Sequence, residues 1–304
     1  MKNNAIVRIV IWSIVLVALV GIMALGLFPW LIQDAFFAAD SSEKTLIPVR
    51  REDSTAQSEA PTPLEKMYTF PADEISELEI EWVAGNITIY PTDRTEITIS
   101  EAGVSQEKYK MTWTNRNGQL KIAFCDDSIF SGIGTGIHGD LTKDLYIYVP
   151  HGWVCSSLEL EVASADLKMR NMTVHELDID GASGTCDIRD CSIRTMDIDT
   201  ASGDVTFSGS LDALDFDAAS AGFTGKFQNT PSRIDMDSMS GSLDISLPED
   251  CGYTVTLNGM NSRFSSDFDG TSVVNGSHVY GDGRCHINMD GMNCDVTIRK
   301  QETT

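Results

Sequence analysis

Ahead of a recurring short turn, aspartates stand two residues apart in four pairs: Asp178 and Asp180, Asp197 and Asp199, Asp215 and Asp217, Asp235 and Asp237. Paired carboxylates support two kinds of chemistry. Their hard oxygens bind cations such as Ca2+. They also act as acid and base, or acid and nucleophile, in cleaving glycosidic bonds. Other chemistries find less in the sequence. The seven cysteines (Cys125, Cys155, Cys186, Cys191, Cys251, Cys285, Cys294) contain no CxxC pair and no zinc spacing. Cys186 and Cys191 read as small core residues, and disulfides among the others stay open. The five histidines are scattered, without HExxH. "GTGIHG" at residues 134–139 matches GxGxxG, but not between a strand and a helix, so it reads as a loop. No catalytic residue and no cofactor site is assigned. The metal expectation is confined to weak Ca2+ binding by the eight aspartates named above.

The elements that position these aspartates are written as a repeat. Each pair precedes a short turn that begins at Ala163, Ala182, Ala201, Ala219 or Met239, at steps of 19, 19, 18 and 20 residues. Weaker copies begin at Val83, Met260 and Met292. Five and three positions before each start the side chains are apolar, as in Leu177 and Ile179 or Met196 and Ile198. Four and six positions after it they are apolar again, as in Val205 and Phe207 or Leu243 and Ile245. The copies at Ala219 and Met260 fit in part only, ending in Gly225 and Ser266.

Alternation with period two predicts strands with one buried face. Two such strands per copy, a tight corner between them and a fixed length predict coils stacked about 4.8 Å apart. The expected fold is therefore all-β, a parallel β-solenoid (β-helix) with coils of about 19 residues. A β-sandwich also gives alternating strands, but it does not require like side chains every 19 residues. On this reading the aspartates form two columns on one outer face. Like charges at that spacing repel by roughly 1 kcal/mol even at the dielectric of water. The section before His151, with a hairpin around "NRNG", is expected to cover one end, and "HINMDGMNCDVTIRK" to close the other.

The amino-terminal part is different. Residues 9–32 are apolar and uncharged, about 36 Å long as a helix, enough to cross a bilayer core. The expected organisation is a transmembrane anchor at 1–33, a flexible Ser, Pro and Glu-rich stalk at 34–66 and the solenoid at 67–300. A short leading tail and a long following domain predict a single-pass cell-membrane protein with its body extracytoplasmic. The formal net charge of −23 excludes nucleic acid as a partner, because phosphate binding needs Lys and Arg clusters.

"DLYIYVPHGW", "LELEVASADLKM", "LDIDGASGTCDI", "MDIDTASGDVTF" and "IDMDSMSGSLDISLP" resemble the bacterial putative-adhesin family of β-strand-repeat proteins of unknown function, related to auto-transporter adhesin head domains. The likeness covers roughly residues 70 to 300 and departs at Asp166, Gly222 and Arg263, where irregular coils are expected. It implies a surface-exposed solenoid on an envelope protein and brings no catalytic residues. The expected function is a non-enzymatic, adhesin-like binding or envelope-structural module, its surface glycan or protein partner unknown. The alternatives are a docking component of an envelope-stress or signalling module and a β-helix polysaccharide-active enzyme.

Overall fold

The computed structural model describes residues 66–103, 106–126 and 141–301. The expected anchor, nearly all of the stalk and the GTGIHG segment lie outside the described residues. Among the described residues no helix is long and apolar enough to cross a membrane.

The strands run in chain order as β1 (Met67–Pro71), β2 (Glu77–Thr92), β3 (Glu96–Ala102), β4 (Thr112–Arg116), β5 (Gln119–Ala123) and β6 (Asp144–Pro150). Then come β7 (Val154–Arg170), β8 (Thr173–Ser183), β9 (Cys186–Phe227) and β10 (Arg233–Leu247). The chain finishes with β11 (Tyr253–Ser266), β12 (Ser272–Val274), β13 (Ser277–Tyr280) and β14 (Cys285–Lys300). The longest of these turn a corner and continue on a second face, so successive coils pair in parallel. Leu158 lies beside Leu177, and Leu177 beside Met196. Farther on, Leu214 lies beside Ile234, Ile234 beside Ile287, and Ile287 beside Val255. All are buried, so each coil presents an apolar rung to the next.

The corners follow from the Ala-Ser-small turn. Gly184 and Gly203 have φ of 141° and 136°, a region that residues with a Cβ avoid. The space is closed as well: a Cβ on Gly203 would stand 2.0 Å from the carbonyl oxygen of Gly184. Asp166 and Gly222 do not disturb their coils, contrary to the expectation from sequence. The Asp166 carboxylate accepts the Thr185 N–H at 2.8 Å, and that of Asp204 accepts the Gly222 N–H at 3.0 Å. A side chain of one coil thus takes up an amide of the next where the corner interrupts the ladder.

The partial copies have steric reasons. A Cβ on Gly225 would stand 2.8 Å from the rings of both Phe223 and Phe227, which fill that layer with Phe207. Ser266 sits where the Tyr253 hydroxyl reaches it at 2.6 Å. Among the described residues no disulfide is present, and Cys191 is buried beside Met172 as a core residue.

One end is built differently from the expectation. β14 does not close the stack. It lies between β10 and β11, parallel to both, and the β12–β13 hairpin pairs antiparallel on β11. Its two parallel neighbours explain its alternating buried face. At the other end β2 lies directly on β7, and β1, β3 and β6 extend the sheet beyond it. The hairpin around Asn117 and Gly118, both at positive φ, joins β4 to β5 as expected.

This end is locked by a buried ion pair. The Lys143 Nζ lies 2.6 Å from the Glu101 carboxylate, and both side chains are nearly inaccessible. Nζ also donates to the carbonyls of Tyr109 at 2.6 Å and Phe124 at 2.5 Å, and it lies 4.6 Å from the Trp82 ring centroid. The Glu101 oxygens accept the Met111 N–H at 3.0 Å. The charges are thus well satisfied, as burial demands.

Gly203→Ala should lower the thermal midpoint by about 5 °C or more, read by calorimetry. Glu101→Gln should cost about 3 kcal/mol in denaturant unfolding, because Lys143 stays charged and buried. Replacing both partners together, Glu101→Leu with Lys143→Met, should recover most of that loss.

Candidate functional site

The predicted aspartates come together. On the first face of the solenoid Asp178 lies beside Asp197 and Asp180 beside Asp199. Asp215 lies beside Asp235 and Asp217 beside Asp237. The two groups meet within β9, where an 18-residue coil step is marked by the Asp190 N–H donating to the Ser208 hydroxyl. The inward neighbours Ile179, Ile198, Leu214 and Phe216 are buried and hold the strands flat against the core. The aspartates themselves are half-buried, except Asp237, which is exposed.

The ladder is longer than the aspartate pairs alone. Glu159 lies beside Asp178 and Glu161 beside Asp180. Glu79 and Glu81 continue both columns into β2, and Asp290 extends one column into β14. These rungs occupy the same repeat positions, but a Glu in place of Asp hides them from a search for paired aspartates.

Both ends of the ladder meet other chemistry. At one end Lys121 of β5 lies 2.8 Å from Glu79 and 2.5 Å from Glu81. Burial works against its charge, but the hydrogen bonds and charges of the two glutamates outweigh it and hold its pKa above the usual lysine range. The repeat gives no sign of Lys121, because β5 lies outside it. At the other end the Asn288 amide donates to Asp235 at 2.7 Å, and Arg233 contacts the same carboxylate.

Between the ends, like charge accumulates. Burial first, and then the charges of Asp180, Asp197, Glu159 and Asp199, push the pKa of Asp178 up to about 7. The pKa values of Glu159, Glu161 and Asp237 are raised for the same two reasons. The second face has a mixed character. There Asp187 pairs with Arg170 at 2.8 Å and with Arg189 at 2.6 Å, and Asp244 receives both arms of Arg299.

The acids stand at one-coil spacing along a line, with Asp178 the most strongly raised of them. Among the described residues no three His, Cys, Asp or Glu side chains gather as a set able to hold a metal ion. A cation on this face would bridge neighbouring rungs and complete its shell with water, as Ca2+ does readily.

The sequence profile of the Toastrack DUF4097 family matches residues 75–213 and 153–299. The chain belongs to this family. The expected resemblance to putative-adhesin repeat proteins is upheld, and the matched residues span the stacked coils. A putative cell adhesion protein from Clostridium sporogenes is 11% identical, with 78% of this chain and 100% of that chain covered and a TM-score of 0.38. A putative adhesin from Bacteroides fragilis is 13% identical, with 80% and 100% covered and a TM-score of 0.43. A putative lipid binding protein from Parabacteroides distasonis is 14% identical, with 78% and 96% covered and a TM-score of 0.39. No curated protein matches the chain.

The raised pKa of Asp178 fixes the sign of a pH effect. The folded state binds more protons than the unfolded chain between the ordinary aspartate value of 3.8 and about 7. Stability from this group is therefore greatest at low pH and falls as pH rises through that window. The thermal midpoint should drop by a few degrees between about pH 5 and pH 8, an amount reduced by partial exposure. Asp178→Asn should flatten this dependence and raise the midpoint at about pH 8, as a pH series of melting curves would show.

Proposed function

We propose that this protein is a membrane-anchored, extracytoplasmic binding or envelope-structural module of adhesin-like kind, without enzymatic activity, whose acidic ladder meets the ligand. The anchor rests on the uncharged apolar residues 9–32, followed by the polar stretch to residue 66. The observation that carries the binding reading is the stacking of carboxylates in register from Glu79 to Asp237. A rigid line of like charge is an electrostatic template for a cation or a cationic surface. Catalysis by paired carboxylates places two acids around one bond. Here acids recur at successive levels from Glu79 to Asp237, which supports binding along a line.

A divalent cation is the simplest ligand of this chemistry. Ca2+ at about 10 mM should raise the thermal midpoint of the full chain by about 3 °C if its dissociation constant is near 1 mM. Asp197→Asn combined with Asp199→Asn should remove most of that gain. A midpoint indifferent to calcium would remove the cation reading.

A further inference from the structure

The corner between the two faces holds a small residue through the middle of the stack: Ala163, Ala182, Ala201 and Ala219. In three further coils the same place holds methionine. These coils are neighbours, in the spatial order β10, β14, β11. Ser238 lies beside Gly291 and Ser240 beside Asn293, which sets Met239 next to Met292. Gly259 lies beside Gly291 and Asn261 beside Asn293, which sets Met260 on the other side of Met292. The three are 63%, 48% and 78% exposed in the order Met239, Met292, Met260.

Packing does not explain them, since none belongs to the core. Corner geometry does not require them either, because alanine serves elsewhere. Methionine differs from alanine in reach and in carrying a soft, polarizable sulfur. Three thioethers stand in a row, with backbones about 4.8 Å apart. Three rotatable bonds each allow the sulfurs to close on one centre. Thioether ligands select Cu(I) among first-row metals. Asp237 and Asp290 line the same open depression as Met239 and Met292, so negative charge stands beside the sulfurs.

We infer that the Met239–Met292–Met260 corner is a thioether site for a soft monovalent metal ion of the Cu(I) class. It stands apart from the acidic-ladder reading, because its donors are sulfurs and its ion is soft. The nearest thiol is Cys294, buried behind the corner with its Sγ 2.8 Å from where a Cβ on Gly291 would lie. The test must therefore separate thioether from thiol.

Ag(I) is a redox-inert probe for this chemistry. The full chain, labelled with 13C at the methionine methyls, is titrated with Ag(I) in chloride-free buffer. Single Met→Leu variants assign the signals. The methyls of Met239, Met292 and Met260 should shift together, ahead of the other methionines and before one equivalent is added. The triple variant M239L/M260L/M292L keeps the apolar bulk and should bind Ag(I) at least tenfold more weakly in that first step. Asp178→Asn should leave the step unchanged. If the three methyls stay still while silver is taken up, or if the triple variant binds as tightly as the parent, the inference is overturned. The corner would then be an apolar ridge, or the thiols would be the ligands of the metal.

Discussion

Parallel stacking in register makes every residue the neighbour of its own counterpart one coil away, and the rest of the molecule follows from that constraint. Inside, the consequence is favourable. Leu158, Leu177 and Met196 form one apolar column, and Leu160, Ile179 and Ile198 another, all buried. Outside, the same rule places Asp178 against Asp197 and Asp180 against Asp199. No rearrangement of side chains can exchange those neighbours, because the backbone ladder fixes them. The corner obeys the rule too. The carbonyl of Gly184 fills the space that a Cβ on Gly203 would need, as the carbonyl of Ala165 does for Gly184.

Such a stack has no natural end, and each terminal coil offers unpaired backbone groups to other chains. The two ends meet this in different ways. At the carboxyl end the chain passes outward to β11, makes the short β12–β13 hairpin and returns to insert β14 between β10 and β11. The last strand is thereby held on both edges. At the amino end β5 and β6 lie parallel to the first coil, antiparallel β4 and β3 are laid beside them, and Lys143 ties this section together. Its three acceptors come from Glu101, Tyr109 and Phe124, which precede it by 42, 34 and 19 residues. A lysine so placed fixes one arrangement of those segments, at the cost of desolvating two charges.

What was legible in the sequence was whatever repeats. The alternation around Ile198 and the small residues of each corner are visible because each recurs about every 19 residues, and they delivered the fold, the buried face and the aspartate columns together. What does not repeat was hidden. Lys121 reaches Glu79 and Glu81 from a hairpin outside the register, and Lys143 finds Glu101 across 42 residues without a motif. The position of β14 was misread for a related reason: its pattern identifies it as a coil, but pattern alone does not say which coils flank it. Asp166 and Gly222 looked like defects because a hydrogen bond between coils involves two different residue types at the same level, which a search for identity overlooks.

The two outer faces show that the acidic ladder is not what solubility alone demands. The second face is also solvated and also stacked, yet it mixes signs, with Asp187 paired to Arg170 and Arg189 and Asp244 to Arg299. That pattern lowers the energy of stacking, since opposite charges at one-coil spacing attract. The first face could have been written the same way, at no cost to the core behind it. Instead it carries acids at successive levels, and burial with mutual repulsion leaves Asp178 with a pKa of about 7. On the function proposed above, a positively charged ligand bound along the line would relieve the repulsion at every rung it spans.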